Sequence, residues 1–177
     1  MRIVAGSCKG RMIKTLEGQN TRPTTEKVRE AIFGKLQFEI PGSTVLDFFA
    51  GSGAIGIEAL SRGAKKCFFV DKSRDAMRII KMNAESCGFT ADSVFIQADF
   101  EKAAAGITEK FDFIFIDPPY QSGFYTRAFE LAMGLLAEDG LIVAEHEAPI
   151  EVPEGLHIVQ EKRYSRIFVS YIARDQE

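Results

Sequence analysis

Residues 45–60 read VLDFFAGSGAIGIEAL, and the fold follows from this run. Val45, Leu46 and Asp47 continue a short apolar strand that starts at Thr44. Gly51–Arg62 reads as a glycine loop running into a helix. Gly51, Gly53 and Gly56 match the spacing GxGxxG. The first two let the backbone turn sharply and approach a ligand, and the third lets the helix pack closely on the sheet. The helix N-terminus then offers unpaired N–H groups to an anion, either a pyrophosphate or a carboxylate. Ala50, Gly51, Ser52 and Gly53 are the loop positions that such a ligand would meet.

Outward from this run, strand-like and helix-like segments alternate. Strands are expected at 67–71, 93–97, 111–117 and 141–145. Helices are expected at 75–87 (closed by Gly88), 102–107 and 124–136. This rhythm predicts a parallel, doubly wound α/β sheet. The tail breaks it. The runs 157–162 and 166–173 are separated by only a few residues, whereas a parallel crossover needs a dozen or more. They must form an antiparallel hairpin, which makes seven strands in all. A nucleotide-binding oxidoreductase would be expected to add a helix there. A Rossmann-like sheet with a reversed last strand is instead the topology of class I methyltransferases.

The acidic residues at the strand ends sharpen the reading of the cofactor. Asp47 stands directly before the glycine loop, where it would repel a pyrophosphate but favour the ammonium and sulfonium groups of S-adenosylmethionine. Asp71 ends the second strand, 20 residues after Gly51, with Lys72 beside it. A carboxylate there can accept hydrogen bonds from ribose hydroxyls. Asp99 can accept from an adenine amine, with Phe100 covering the ring. Equally, Asp99 can simply cap the helix that follows, since aspartate is a strong N-cap residue.

The fourth strand ends in Asp117-Pro118-Pro119-Tyr120, facing the same crevice as the glycine loop. Two prolines fix the backbone and supply no N–H. The Asp117 carboxylate and the Pro118 carbonyl then present two acceptors. Together they can hold the two hydrogens of an exocyclic amine and aim its lone pair at a methyl donor, with Tyr120 stacking on the base and Pro119 beside it. Catalysis of this kind is positioning plus stabilisation of developing positive charge. A base inside a duplex cannot reach such a pocket, so the target is flipped out or unpaired. Asp117 thus borders both the cofactor and the substrate.

The net charge of −3 is unevenly spread: residues 1–37 hold eight Lys/Arg and three acids, the remainder 14 and 22. A basic arm on an acidic body suggests a polyanionic partner. Glycines at 6, 10 and 18 give the arm a hairpin-like look, and helical spacing follows through Val28, Ile32, Phe33 and Leu36. Division is expected into a basic, polyanion-binding extension over 1–37 and a catalytic domain over 38–177. Lys9, Arg11 and Lys14 are spaced to meet phosphates. Arg22, Thr24 and Arg29 flank a proline-stiffened turn and are candidates for gating the pocket or holding substrate phosphate. The competing reading of Arg29 is a surface pair with Glu26 or Glu30.

These pieces resemble the bacterial 16S ribosomal RNA guanine-N2 methyltransferases (RsmD-like) over nearly the whole length. The matching segments are Arg2–Gly6 with Lys9–Arg11, Arg22–Thr25 with Val28–Glu30, Asp47–Leu60 and Asp117–Tyr120. The arm is the discriminating part, because the other motifs are shared among amino-methyltransferases. The resemblance implies S-adenosyl-L-methionine as cofactor and methyl donor. It also implies 16S rRNA, within the small ribosomal subunit, as partner, with methylation on N2 of a guanine. Family members often carry Glu where this chain has Asp71, and either carboxylate reaches ribose hydroxyls.

Other classes fit less well. Three cysteines without a CxxC pair and only two histidines, His146 and His157, argue against a zinc site, a disulfide framework or a Ser-His-Asp triad. No apolar run approaches the ~18 residues of a membrane helix, and no signal-peptide core follows Met1. The expectation is a cytoplasmic monomer with no metal and no membrane partner. The rival enzymes are an amino-methyltransferase acting on adenine N6 of DNA or on a protein glutamine amide, and a nicotinamide-dependent oxidoreductase. A catalytically silent RNA-binding factor is the remaining alternative.

Overall fold

Strands covered by helices on both faces have no wet side, so they read as continuous apolar runs. Such runs form the centre of a seven-stranded sheet in the computed structural model, which describes residues 1–16, 26–119 and 123–176. In chain order the strands are β1 (Thr44–Asp47), β2 (Lys66–Asp71), β3 (Ser93–Gln97), β4 (Phe111–Ile116), β5 (Leu136–His146), β6 (Leu156–Tyr164) and β7 (Ile167–Arg174). The helices are α1 (Glu26–Lys35), α2 (Ala54–Ser61), α3 (Arg74–Ser86), α4 (Phe100–Gly106) and α5 (Tyr125–Leu135).

The spatial order is β3-β2-β1-β4-β5-β7-β6. β1 pairs in parallel with both β2 and β4, so the strand order reverses between β1 and β4. A doubly wound sheet opens its ligand crevice outside the carboxyl ends at that point. The tail forms the expected antiparallel hairpin. Its second strand is the inner one: β7 lies antiparallel between β5 and β6, with Val143 opposite Tyr171 and Ile158 opposite Ile172. The α/β fold with a reversed last strand is therefore as the sequence implies.

Successive strand residues face opposite sides, which splits the core into two layers. Val45, Phe69 and Phe115 pack with α1–α3, while Leu46, Phe68 and Ile114 pack with Ala128, Phe129 and Leu135 of α5. Gly56 allows α2 its close seat: a Cβ there would fall 2.3 Å from a Phe69 ring carbon and 2.6 Å from the Cys67 sulfur. Element ends differ modestly from expectation. β5 begins at Leu136, opposite Phe111, and the register shifts before Leu141 pairs with Phe113. The sequence shows only the strongly apolar second half of that strand.

The N-terminal arm is a short hairpin-like turn with one bridge, Arg2 opposite Met12. Its apolar residues do not stand apart. Ile3, Cys8 and Ile13 join Val28, Ile32 and Phe33 in the same core layer as Val45 and Ile57. The division expected at residue 37 thus crosses continuous packing. The arm backbone also lies against α2, close enough that a Cβ at Gly6 would sit 1.8 Å from the Ser61 carbonyl oxygen.

Candidate active site

One cavity of about 930 Å³ opens at the carboxyl ends of β1, β2 and β4, near the upper end of the usual size for a small-molecule site. The glycine loop forms its floor. The loop is held from beneath by acids that the strands deliver. Asp71 Oδ2 accepts the Gly51 amide at 2.9 Å, and its Oδ1 accepts the Ser73 amide at 2.8 Å. The Asn83 side-chain amide donates to the Ser52 carbonyl at 2.9 Å. Gly53 N donates to the Ala50 carbonyl, closing the turn before α2.

Asp47 lies deeper, with Oδ2 accepting the Gly56 amide at 3.2 Å in the first turn of α2. Its carboxyl is pushed up to about 7, chiefly by burial, with the Asp71 charge adding and the Gly56 amide opposing. An isolated buried carboxylate is costly. A cation entering the cavity would offset that cost, which an anionic pyrophosphate cannot do. The sequence places Asp71 at a ribose. Both of its oxygens already hold backbone amides, so its first task is to shape the loop. Each oxygen keeps a further lone pair for a ligand.

Asp99 makes the helix cap considered for it. It lines the cavity, and its Oδ1 caps α4 by accepting the Glu101 and Lys102 amides at 3.1 and 3.0 Å. Phe100 is part of an aromatic wall, with ring centroids 5.1 Å from Phe49, 5.8 Å from Phe48 and 5.3 Å from Phe124. Phe48 and Phe49 were not singled out from the sequence, although they directly follow Asp47. Lys72 is exposed at the rim.

Asp117, Pro118 and Pro119 follow β4 and line the same cavity, Pro118 buried and Pro119 exposed. Tyr120 lies outside the described residues, as do Arg22 and Thr24. Glu145, at the end of β5, also lines the cavity and is buried. Tyr125 is turned towards β5, its hydroxyl donating to the Glu145 carbonyl at 2.6 Å.

The arm residues divide. Lys9 and Arg11 are exposed and border a small separate cleft with Ser7, Cys8 and Cys87. Arg29 requires correction. It is wholly buried, neither reaching for phosphate nor paired on a solvated face. Its Nε lies 3.4 Å from Glu58 Oε2, and its guanidinium also donates to the Arg2 carbonyl. Burial lowers its pKa, against the raising effect of Glu58. The reason is packing: Arg29 shares a face of α1 with Ile32 and Phe33, and that face is turned inward. Glu58, unforeseen from the sequence, is the hub. It also accepts the Val4 and Ala5 amides at 2.9 and 3.0 Å and pairs with Arg62 at 2.8 Å.

Comparison with known proteins agrees with this arrangement. The family described as Conserved hypothetical protein 95 matches residues 1–173. The Bacillus subtilis protein YlbH is 42% identical over 159 residues, covering 87% of this chain and 86% of that protein. Ribosomal RNA small subunit methyltransferase D of Haemophilus influenzae is 34% identical over 174 residues, covering 92% and 88%. The solved structure of yhhF from Escherichia coli superposes with a TM-score of 0.88 at 27% identity, covering 99% and 98%. By its matched length, its relatives and its sheet topology, the chain belongs to the Conserved hypothetical protein 95 family, the RsmD-like class I methyltransferases.

Proposed function

We propose that this chain transfers a methyl group from S-adenosylmethionine to the exocyclic N2 amine of a guanine in 16S rRNA of the small ribosomal subunit, acting as a cytoplasmic monomer. The observation that carries the reading is convergence. The glycine loop, Asp47, Asp71, the Phe100 wall and Asp117–Pro119 all border one cavity. The relatives named ribosomal RNA small subunit methyltransferase D favour rRNA over DNA or a protein amide.

The residues present suit the proposed cofactor. A buried acid with its carboxyl raised to about 7 is complementary to a cationic ligand. The rings of Phe49 and Phe100 offer flat apolar faces to an adenine. Ala50, Gly51, Ser52, Gly53, Asp71, Lys72 and Asp99 complete the candidate binding set. When bound, the cofactor supplies an electrophilic methyl group.

The remaining work falls to the protein. Asp117 and the Pro118 carbonyl hold the amine hydrogens and fix the direction of its lone pair. Restraining the amine in this way converts an encounter into a positioned displacement, and the Asp117 charge stabilises the positive charge growing on nitrogen. Tyr120 is assigned to stacking on the base from its type and sequence position alone, with Pro119 alongside. Lys9 and Arg11 contact RNA phosphates, which position the substrate without reading its sequence. Arg22 and Thr24 keep their substrate assignment on sequence grounds.

The test is methyl transfer from tritiated S-adenosylmethionine to small subunits, naked 16S rRNA and DNA, each lacking the modification, followed by nucleoside analysis. Label in N2-methylguanosine from subunit or rRNA is the expected result. Label in adenine of DNA would replace the substrate, and label in none of them would remove nucleic acid as acceptor.

A further inference from the structure

Asn83 occupies an unusual place in α3. It is 2% exposed and lies on the inward face with Ala76, Ile80 and Ala84. A leucine would suit the apolar surroundings but could make none of the bonds that the amide makes. The amide bonds far along the chain. Its Oδ1 accepts the Lys14 amide at 2.8 Å, and its Nδ2 donates to the Lys14 carbonyl at 2.9 Å and to the Ser52 carbonyl at 2.9 Å. Both Nδ2 hydrogens are thereby used. One side chain thus ties the last part of the described arm to the glycine loop.

The two ends it joins both border the cavity. Ser52 belongs to the loop, and Thr15 and Leu16, directly after Lys14, line the same cavity. The arm backbone is otherwise held by side chains of α2, Glu58 and Ser61, and of α1, Glu26 and Arg29. Among the described residues, Asn83 is the side chain seen to bond both the arm backbone and the loop backbone. Coupling between sites needs such a shared physical element, and it acts equally in both directions.

We infer that Asn83 is a positioning residue that couples occupancy of the cofactor cavity to the placement of the basic arm, so that the loaded protein presents a stiffened arm to RNA. This rests on the proposed function, in which the loop holds the cofactor and the arm meets rRNA. A ligand that fixes the Ser52 carbonyl fixes Asn83, and Asn83 fixes Lys14 through both of its backbone groups.

Hydrogen–deuterium exchange of residues 1–16 in the full chain, with and without S-adenosylhomocysteine as probe, tests this without turnover. Asn83→Leu removes all three bonds. Asn83→Asp keeps the acceptor for Lys14, loses both donors, and serves if the leucine variant fails to fold. In the wild type the probe is expected to slow arm exchange by about 5-fold or more, the low end of ordinary site-to-site coupling. In a folded variant the probe still protects residues 50–53, while the arm changes by less than about 2-fold, below the range of ordinary coupling. A merely structural role would speed arm exchange but leave the ratio with and without probe unchanged. That result overturns the inference, as does a protected loop with an unresponsive arm in the wild type. A wild type in which the probe protects neither segment overturns the proposed cofactor and the inference with it.

Discussion

The Asp71 carboxylate, at the end of β2, accepts the Gly51 amide at 2.9 Å across 20 residues of sequence. The same group shapes the loop and lines the cavity. Asp71→Ala is expected to weaken S-adenosylmethionine binding about 10-fold or more, since losing a charge-assisted hydrogen bond alone costs roughly 1.5–3 kcal/mol. Asp71→Asn keeps one acceptor and should lose less. Isothermal titration of both variants checks this, and equal affinity in wild type and alanine variant would remove Asp71 from the site.

Asp47 predicts two opposite pH trends. A cation in the cavity favours the ionised carboxylate, so cofactor affinity should rise as pH increases through about 7. Folding of the ligand-free protein runs the other way. The folded-state pKa stands above the unfolded value, so this contribution is fully present below about pH 4 and is lost as pH rises through about 7. A shift from 3.8 to about 7 corresponds to roughly 4 kcal/mol at most. Asp47→Asn should flatten both profiles. Urea midpoints from about pH 4 to about pH 8 and cofactor titrations from about pH 5.5 to about pH 8.5 measure them.

Glu58→Ala leaves Arg29 buried without its partner and strips the Val4 and Ala5 amides of their acceptor. Breaking one side of a buried pair costs about 3–5 kcal/mol, so a clear fall in melting temperature is expected. The double variant Glu58→Leu with Arg29→Met should recover much of it. A melting temperature unchanged in the single variant would show that the hub carries no stability.

Asp117→Ala is expected to bind cofactor normally and slow turnover by at least about 100-fold, the scale of removing one preorganised electrostatic stabiliser. Single-turnover methylation alongside cofactor titration separates the two effects. Near wild-type rates would refute the assignment.

Charge reversal at Lys9 and Arg11 should weaken RNA binding in every sequence context. It should also make the slope of log affinity against log salt shallower by up to about 2, roughly one for each phosphate no longer neutralised. An unaltered slope would take the arm tip out of the RNA interface.

Much of this was legible in the chain because it rests on local rules. Gly56 in the first turn of an apolar helix signals close helix–sheet packing, and the Phe69 ring pressed against that position is its counterpart in space. Asp117–Pro119 stood at a strand end, and topology alone turned it towards the glycine loop. What was missed concerns burial of charge. Arg29, Ile32, Phe33 and Leu36 fall at helical spacing, so Arg29 sat on an apolar stripe in plain view. Glu58 likewise interrupts the apolar run of α2. Two opposite charges on the inward faces of different helices are a sign of a buried pair, but which helices meet is a tertiary property. Asn83 is the same case with an amide.

The position of β7 also bears on how the chain is made. β5 and β6 do not pair with each other, because β7, which follows both in the chain, lies between them. During translation the edge of β5 remains open until residues 167–174 clear the ribosomal exit tunnel. A chain released early would lack an interior strand, not an edge strand. Exposed strand edges invite intermolecular pairing, so a chain stopped before β7 leaves β5 open to such pairing.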